Sequence, residues 1–137
     1  MAGKTTWARS RAGPNDRVID LDEIAQSFGS RGHDHPWHVK RLAERVRDSL
    51  ERHAADHDGR TFVVRSLPDP ADRQAVAKRL GADVVVLAVP AETAIERAHT
   101  DARPDWTEQA IRDWWSHYQP APHEQTLTGE TDSGQTT

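Results

Sequence analysis

Four residues near the start of the sequence, Gly3, Lys4, Thr5 and Thr6, have the types and the order of a nucleotide-binding loop. They match the last part of the signature G-x-x-x-x-G-K-[ST], which stands between a strand and a helix. In that signature a glycine lets the backbone approach a phosphate, the lysine reaches the β- and γ-phosphates, and the hydroxyl binds Mg²⁺. We therefore expect these four residues to bind ATP, with Thr5 as a ligand of Mg²⁺.

Only the second half of the signature is present, because its first glycine and the preceding strand would both fall before Met1. Two interpretations stay open. Gly-Lys-Thr is short enough to arise by chance, in which case it carries no chemistry. Alternatively, Met1 is an internal methionine of a longer protein that contains the complete loop, and this is the interpretation that we expect to hold.

A second candidate is Asp22, which follows a predicted short strand over residues 17–22. If the strand ends at Leu21, the Asp22 carboxylate is free in the loop above the sheet. There it could accept the proton of a substrate hydroxyl, which is the role of the base in phosphoryl transfer. The other interpretation is that Asp22, beside Glu23, merely caps the next helix.

Two arginines, Arg97 and Arg103, follow the strongest predicted strand, over residues 83–89. An arginine above a transferring phosphoryl group stabilises the charge that develops in the transition state. Arg103 is the better candidate, because it stands just before Pro104 in a predicted loop. Arg97 lies in the middle of a predicted helix, where a structural role is equally compatible with the sequence.

Four polar residues, His33, Asp34, His35 and His38, have types that bind metal ions. Metal sites require converging ligands that a second shell of residues supports. In a loop without cysteines we favour a solvated loop over a metal site.

Trp106, Trp114 and Trp115 could stack on nucleic-acid bases. Their helical spacing with Ile111 and Tyr118 favours packing in the core instead.

The elements that must position these side chains follow from the spacing of apolar residues. Helices are predicted over residues 3–12, 37–57, 70–80 and 91–102, and a last helix is predicted after a capping box of Asp105 and Glu108. Strands are predicted over residues 17–22, 61–64 and 83–89. This alternation predicts an α/β fold in which helices cover both faces of a parallel sheet. Because ligands bind at the carboxyl ends of such strands, Lys4, Asp22 and the segments after Val64 and Val89 should lie along one edge.

Composition sets limits on the function. The 137 residues carry a net charge of −4, contain no cysteine, and have a mean hydropathy of −0.84. The acidic balance argues against a general nucleic-acid surface, although a local groove stays compatible with it. No apolar run reaches the length of a membrane span, so we expect a cytoplasmic protein without a membrane partner. We predict one domain over residues 1–118 and a disordered polar tail over residues 119–137.

The order of these features resembles the P-loop kinases of the polynucleotide 5′-kinase type, and it is similar to AAA family ATPases. The segments that carry the resemblance are G-K-T-T-W-A-R at residues 3–9, V-I-D-L-D-E at 18–23, D-P-A-D-R at 69–73, and V-P, E-R and R-P between residues 89 and 104. The resemblance covers roughly residues 1–118. It implies a P-loop NTPase-like sheet that lacks its first strand.

The resemblance also implies roles for individual residues. Lys4 and Thr5 would hold ATP and Mg²⁺, Asp22 would be the base, and Arg103 would be the lid arginine at the γ-phosphate. Two departures argue against a polynucleotide as the acceptor. Ala25 stands where such kinases have an arginine that grips the acceptor phosphate, and Arg65 follows the third strand of the fold, where an acidic residue is common.

The sequence thus predicts a kinase-like phosphotransferase that moves the γ-phosphoryl group of ATP to a hydroxyl group. The acceptor, which the sequence does not identify, is a nucleotide, a nucleic-acid end or a small molecule. The alternatives are an ATPase, and a non-catalytic nucleotide-binding or interaction protein with a degenerate P-loop. A nucleic-acid-binding module that does not use ATP is disfavoured by the acidic charge.

Overall fold

The structure is a computed structural model that describes residues 3–128. In this part of the chain the elements are α1 (Lys4–Arg11), β1 (Arg17–Ile19), α2 (Leu21–Ser27), α3 (Trp37–Arg52), a 3₁₀ helix (Ala54–Asp56), β2 (Thr61–Val63), α4 (Pro70–Leu80), β3 (Val85–Leu87), α5 (Ala91–Thr100), α6 (Trp106–His117) and β4 (Gln125–Leu127). They form two compact units. One comprises Lys4–Arg65, and the other comprises the described residues from Ser66 to Thr128 together with Gly3.

The unit Lys4–Arg65 is built around a parallel pair of strands. Arg17 of β1 lies opposite Thr61 of β2, and Ile19 lies opposite Val63. Two strands that run in the same direction need a crossover connection, which α2 and α3 provide. The Ile19 side chain is 1% exposed, and its burial contributes roughly 1.5–3 kcal/mol to stability.

The other unit has its own parallel pair, in which Val85 of β3 lies opposite Gln125 of β4. Its apolar core joins the end of β3 to the helical pair α5 and α6, through the buried residues Val89, Ala94, Ile95, Ala98 and Ile111. Trp115 packs against this core and donates a hydrogen bond from Nε1 to the Val89 carbonyl, at 3.2 Å.

The tryptophans therefore divide between two environments. Trp115 packs against the core as predicted, and Trp114 stacks on Tyr118 with the ring centroids 4.7 Å apart. The prediction of core packing was wrong for Trp106, which begins α6 and is 49% exposed.

The helix α4 shows how well local signals specify a helix. Asp69 accepts a hydrogen bond from the Ala71 N–H, Pro70 occupies the first helical position, and Gly81 ends the helix in the left-handed conformation at φ +63°. All three features are standard helix-end devices. The predicted helix over residues 70–80 is confirmed.

Several details of the predicted elements were wrong. The strand predicted over residues 17–22 ends at Ile19, because Asp20 turns the chain into α2, a helix that the sequence analysis did not predict. The helix predicted over residues 37–57 ends at Arg52 and gives way to the 3₁₀ turn. The predicted capping box of α6 does not form, because Asp105 has helical dihedrals and its side chain makes no capping hydrogen bond.

The prediction of a disordered tail was also wrong for part of residues 119–137. Gln125–Leu127 form β4 beside β3, and the Ala88 N–H donates to the Leu127 carbonyl at 2.7 Å. A segment this short and polar is ordered by its partners rather than by its own propensity. Residues 129–137 of the predicted tail lie outside the described residues. Among the described helices, none is long and apolar enough to cross a membrane.

Gly59 makes a close backbone contact in the turn before β2. A Cβ atom at this position would lie 2.0 Å from the Asn15 carbonyl oxygen. We expect Gly59→Ala to lower the free energy of unfolding by about 1–3 kcal/mol, because the two backbone segments would have to separate. Urea unfolding measures this loss. Gly13→Ala is the matched control, since its Cβ would meet Asp16 at an ordinary 3.5 Å. Equal stabilities of the two variants would contradict the prediction.

Candidate functional site

The predicted phosphate-binding residues lie where a loop enters a helix. Gly3 has φ +83°, which favours glycine, and α1 begins at the next residue, Lys4. Lys4 and Thr5 are half-buried, whereas Thr6 is exposed. The first N–H groups of a helix have no partner within the helix, and the helix dipole adds positive potential there. This end of α1 therefore has the local geometry of an anion-binding helix start.

The Thr5 side chain is in contact with Asp20 in the same unit. The Thr5 hydroxyl donates a hydrogen bond to Oδ2 of Asp20, and Oδ1 of Asp20 accepts the Asp22 N–H at 3.0 Å. Asp20 is only 8% exposed, so its carboxylate is held between α1 and the start of α2. Hydroxyl and carboxylate oxygens are the hard ligands that Mg²⁺ prefers.

Asp20 is the residue of this site that the sequence analysis missed. It was treated as the end of a strand, whereas it is the N-cap of α2. The alternative interpretation, in which Asp22 is the cap, was therefore wrong. The sequence signal that could have identified Asp20 is the Asp-Leu-Asp spacing directly after a strand. In such a segment the first aspartate can cap the next helix, and the second stays available for another role.

Asp22 lies in the first turn of α2 with both carboxylate oxygens engaged. His33 Nδ1 is 3.0 Å from Oδ2, and His35 Nε2 is 2.7 Å from Oδ1. Burial raises the pKa of Asp22, but the hydrogen bonds and charges of the two histidines outweigh it, so that the pKa is lowered overall. The carboxylate therefore stays ionised, and acceptor-only, at neutral pH.

The favoured interpretation of a solvated histidine loop was wrong for His35, whose side chain is 4% exposed. His33 also faces Asp22, but its side chain is 30% exposed. Within residues 3–128 no group of three or more histidine or acidic side chains is arranged to hold a metal ion.

A second link connects α1 with α2. The Arg9 guanidinium binds the Glu23 carboxylate through two nitrogens, with Nε 3.0 Å from Oε2 and Nη2 2.6 Å from the same oxygen. Together with the Thr5–Asp20 contact, it fixes the helix that begins at Lys4 against the helix that carries Asp22. The unit Lys4–Arg65 thus brings the start of α1 together with the carboxylates of Asp20 and Asp22.

The two predicted arginines belong to the other unit. Arg97 is exposed in the last turn of α5, rather than in the middle of a helix as predicted. Arg103 is half-buried in the turn between α5 and α6, after Ala102 at φ +51°, and its N–H donates to the Ala98 carbonyl at 2.9 Å. Neither side chain forms a hydrogen bond or ion pair with the rest of the described residues. The predicted approach of both arginines to the phosphates stays a prediction.

Arg65, which departs from the family pattern, has a structural partner. Its guanidinium binds Glu51 of α3 through Nε at 3.0 Å and Nη2 at 2.8 Å. The Glu51 side chain is fully buried. Arg65 therefore compensates the buried negative charge of Glu51.

No protein-family model matches the chain, and no curated protein matches its sequence. Among solved structures, the tunicamycin resistance protein of Deinococcus radiodurans is similar to it, with a TM-score of 0.57. The alignment covers 94% of this chain and 80% of that chain, at 19% identity. That protein has a P-loop kinase-like fold. This likeness concerns the fold alone: the chain has a mixed α/β fold, with short parallel strand pairs and helices, that is similar to the fold of that protein. In the described residues no strand precedes α1.

Proposed function

We propose that this chain binds Mg²⁺–ATP at the start of α1 and transfers the γ-phosphoryl group to a hydroxyl group. The observation that carries the proposal is the contact between the Thr5 hydroxyl and the Asp20 carboxylate, next to a Gly-Lys-Thr helix start. P-loop enzymes hold Mg²⁺ with the loop Ser/Thr and an aspartate. The P-loop kinase-like fold supports the same assignment.

The residues at this helix start fit the nucleotide. Gly3 leaves room for a phosphate beside the backbone, Lys4 reaches the β- and γ-phosphates, and the N–H groups of Thr5 and Thr6 complete the anion site. The Thr5 hydroxyl and Asp20 supply oxygen ligands, directly or through water, for Mg²⁺. Mg²⁺ held by these two residues would supply positive charge that offsets the charge of the phosphates.

In this proposal Asp22 is the residue that receives the acceptor. Its carboxylate accepts a hydrogen bond from the acceptor hydroxyl and aligns the oxygen for in-line attack. As the new O–P bond forms and the bond from the γ-phosphorus to ADP breaks, the hydroxyl proton passes to Asp22. Because its pKa is lowered, Asp22 is a weak base that mainly orients the hydroxyl, which suits a loose transition state with late proton transfer.

Arg103 and Arg97 are the candidates for stabilising the charge that develops on the transferred group. Arg103 is the stronger candidate because it lies in a turn, is half-buried, and has no partner in the described residues that would compete for its guanidinium. The acceptor is a nucleotide, a nucleic-acid end or a small molecule. A polynucleotide 5′-kinase activity is the narrower form of the proposal, and Ala25, which is fully buried, supplies no charge for an acceptor phosphate.

A calorimetric titration of Mg²⁺–ATP into the full chain tests the proposal. We expect Lys4→Ala to weaken binding at least about tenfold, a change of 1.4 kcal/mol, because the lysine carries the charge that faces the phosphates. Lys40→Ala is the control, since it removes an exposed lysine from α3. Equal affinities of the two variants, or no ATP binding by a folded protein, would overturn the proposed function.

A further inference from the structure

The loop that follows α2 folds back and surrounds the carboxylate of Asp22. From this loop, His35 Nε2 lies 2.7 Å from Oδ1 of Asp22, and His33 Nδ1 lies 3.0 Å from Oδ2. A third side chain continues the network, since Ser30 Oγ is 2.6 Å from His35 Nδ1. The chain of contacts therefore runs from Ser30 through His35 to Asp22.

The contact with Asp22 determines the role of one ring nitrogen of His35. The ionised Asp22 carboxylate can only accept, so Nε2 is the N–H that donates to it. The other nitrogen, Nδ1, faces the Ser30 hydroxyl, which can donate or accept, so both ring nitrogens of this buried side chain have a partner.

The two histidines differ in their exposure. The His35 side chain is 4% exposed, whereas the side chains of His33 and Asp22 are 30% and 39% exposed. Asp22 is thus supported from the buried side by His35 and is open to solvent on the side of His33. An approaching acceptor hydroxyl meets the carboxylate from the open side.

The loop itself is tied to α2. Gln26 Nε2 donates to the Gly32 carbonyl at 2.7 Å, and the Ser30 N–H donates to the Ala25 carbonyl at 3.3 Å. Gly29, at φ +92°, and Gly32, at φ +63°, let the backbone reverse direction. Ser30 and His35 are therefore held at a fixed distance from the helix that carries Asp22.

We propose that His35, whose ring is held at Nδ1 by Ser30, is a positioning residue that holds the Asp22 carboxylate in the orientation that receives the acceptor hydroxyl. This inference rests on the proposed function, because the orientation of Asp22 matters for the rate only if Asp22 receives the acceptor hydroxyl. It adds Ser30 and His35 to the residues on which the rate of transfer depends, although neither touches the acceptor. A carboxylate that is already oriented needs no reorganisation when the acceptor binds.

The first test observes the imidazole directly, by NMR of the full chain labelled with ¹⁵N-histidine at neutral pH. We expect the Nε2 proton of His35 to exchange slowly with water and to shift downfield. Asp22→Ala and Ser30→Ala should each return this proton to fast exchange. The exposed His38, which has no hydrogen-bond partner in the described residues, is the internal reference. A His35 proton that exchanges as fast as that of His38, or one that neither substitution affects, would overturn the inference.

The second test measures ADP release. His35→Leu should lower kcat about tenfold with an unchanged KM for ATP, which corresponds to the loss of one charge-assisted hydrogen bond. His35→Gln should restore most of the rate, because its amide nitrogen can still donate to Asp22. Equal rates of His35→Leu and the unmodified chain, or equal losses in both variants, would contradict the positioning role. If the unmodified chain does not bind ATP in the calorimetric titration, the proposed function is wrong. The NMR experiment would then still show whether Ser30, His35 and Asp22 form the hydrogen-bond network.

Discussion

Asp22→Asn should reduce ADP release by about 10²- to 10⁴-fold while leaving the affinity for Mg²⁺–ATP nearly unchanged. Asparagine is the same size as aspartate, but it cannot take up the proton of the acceptor. Its amide offers one acceptor oxygen where the carboxylate offers two, so one of the contacts with His33 and His35 would be lost. The substitution therefore removes the base and disturbs the orientation of the group that remains. ADP release is measured with water alone and with a panel of hydroxyl acceptors, which includes nucleosides, 5′-hydroxyl oligonucleotides and small sugars.

Asp34→Asn is the matched control for this prediction. Asp34 lies in the same loop, is exposed, and has no hydrogen bond or ion pair with the described residues. Its substitution changes the net charge by the same amount without touching the network around Asp22. If Asp22→Asn keeps the full rate, Asp22 is not the base. If both substitutions lower the rate equally, the effect is one of general charge rather than of a specific carboxylate.

The parts of the fold that the sequence predicted well are those that local chemistry specifies. The helix α4 has an N-cap aspartate, a proline and a terminal glycine within its own segment. The strands β2 and β3 are continuous apolar runs, which indicate buried parallel strands. In both cases the information lies within about ten neighbouring residues.

Elements whose order depends on residues far away in the sequence could not be predicted from local patterns. The strand β4 consists of Gln-Thr-Leu, which has no strand pattern of its own, and its order comes from pairing with a strand about forty residues earlier. A short helix such as α2 begins because Asp20 caps it, yet Asp20 follows apolar residues that suggested a longer strand. Local propensity is a weak guide where long-range pairing decides.

In the candidate site, too, local features were predictable and long-range contacts were not. The helix start at Lys4 follows from the motif, but Asp22, which was expected to be free in a loop, lies in the first turn of α2 against two histidines. The Thr5–Asp20 contact likewise joins residues on two different elements. The contact of the histidines with Asp22 could not be predicted for a similar reason. A Gly-rich polar loop is usually solvated, and only its return along α2 brings His35 against Asp22.

Arg73 is a buried residue of α4, 6% exposed, whose substitution should strongly lower the stability of the protein. Its guanidinium binds Glu124 through Nε and Nη2, both at 2.9 Å, and donates to three backbone carbonyls, those of Leu67 at 3.0 Å, Pro68 at 2.7 Å and Gln119 at 2.6 Å. The Glu124 side chain, which directly precedes β4, is 2% exposed. This one arginine therefore compensates a buried carboxylate and holds the segment that leads into β4.

We expect Arg73→Met to lower the free energy of unfolding by about 3–5 kcal/mol in urea titrations, because Glu124 would keep a buried charge without its partner. Methionine preserves much of the packing against Tyr118, so the loss reports on charge and hydrogen bonds. Amide exchange gives a local measurement, since the Ala88 N–H donates to a β4 carbonyl and should lose protection. Lys78→Ala, at an exposed position of the same helix, should change stability by less than about 0.5 kcal/mol.

A double-mutant cycle separates the ion pair from the carbonyl contacts of Arg73. The double variant Arg73→Met with Glu124→Gln leaves no buried charge unpaired, so Arg73→Met should cost clearly less in the Glu124→Gln background than in the unmodified chain. The difference between the two costs is the coupling between the buried charges. If Arg73→Met costs the same in both backgrounds, the three carbonyls rather than Glu124 account for the burial of the arginine. A cost below about 1 kcal/mol in both would mean that β4 is held by its pairing with β3 alone.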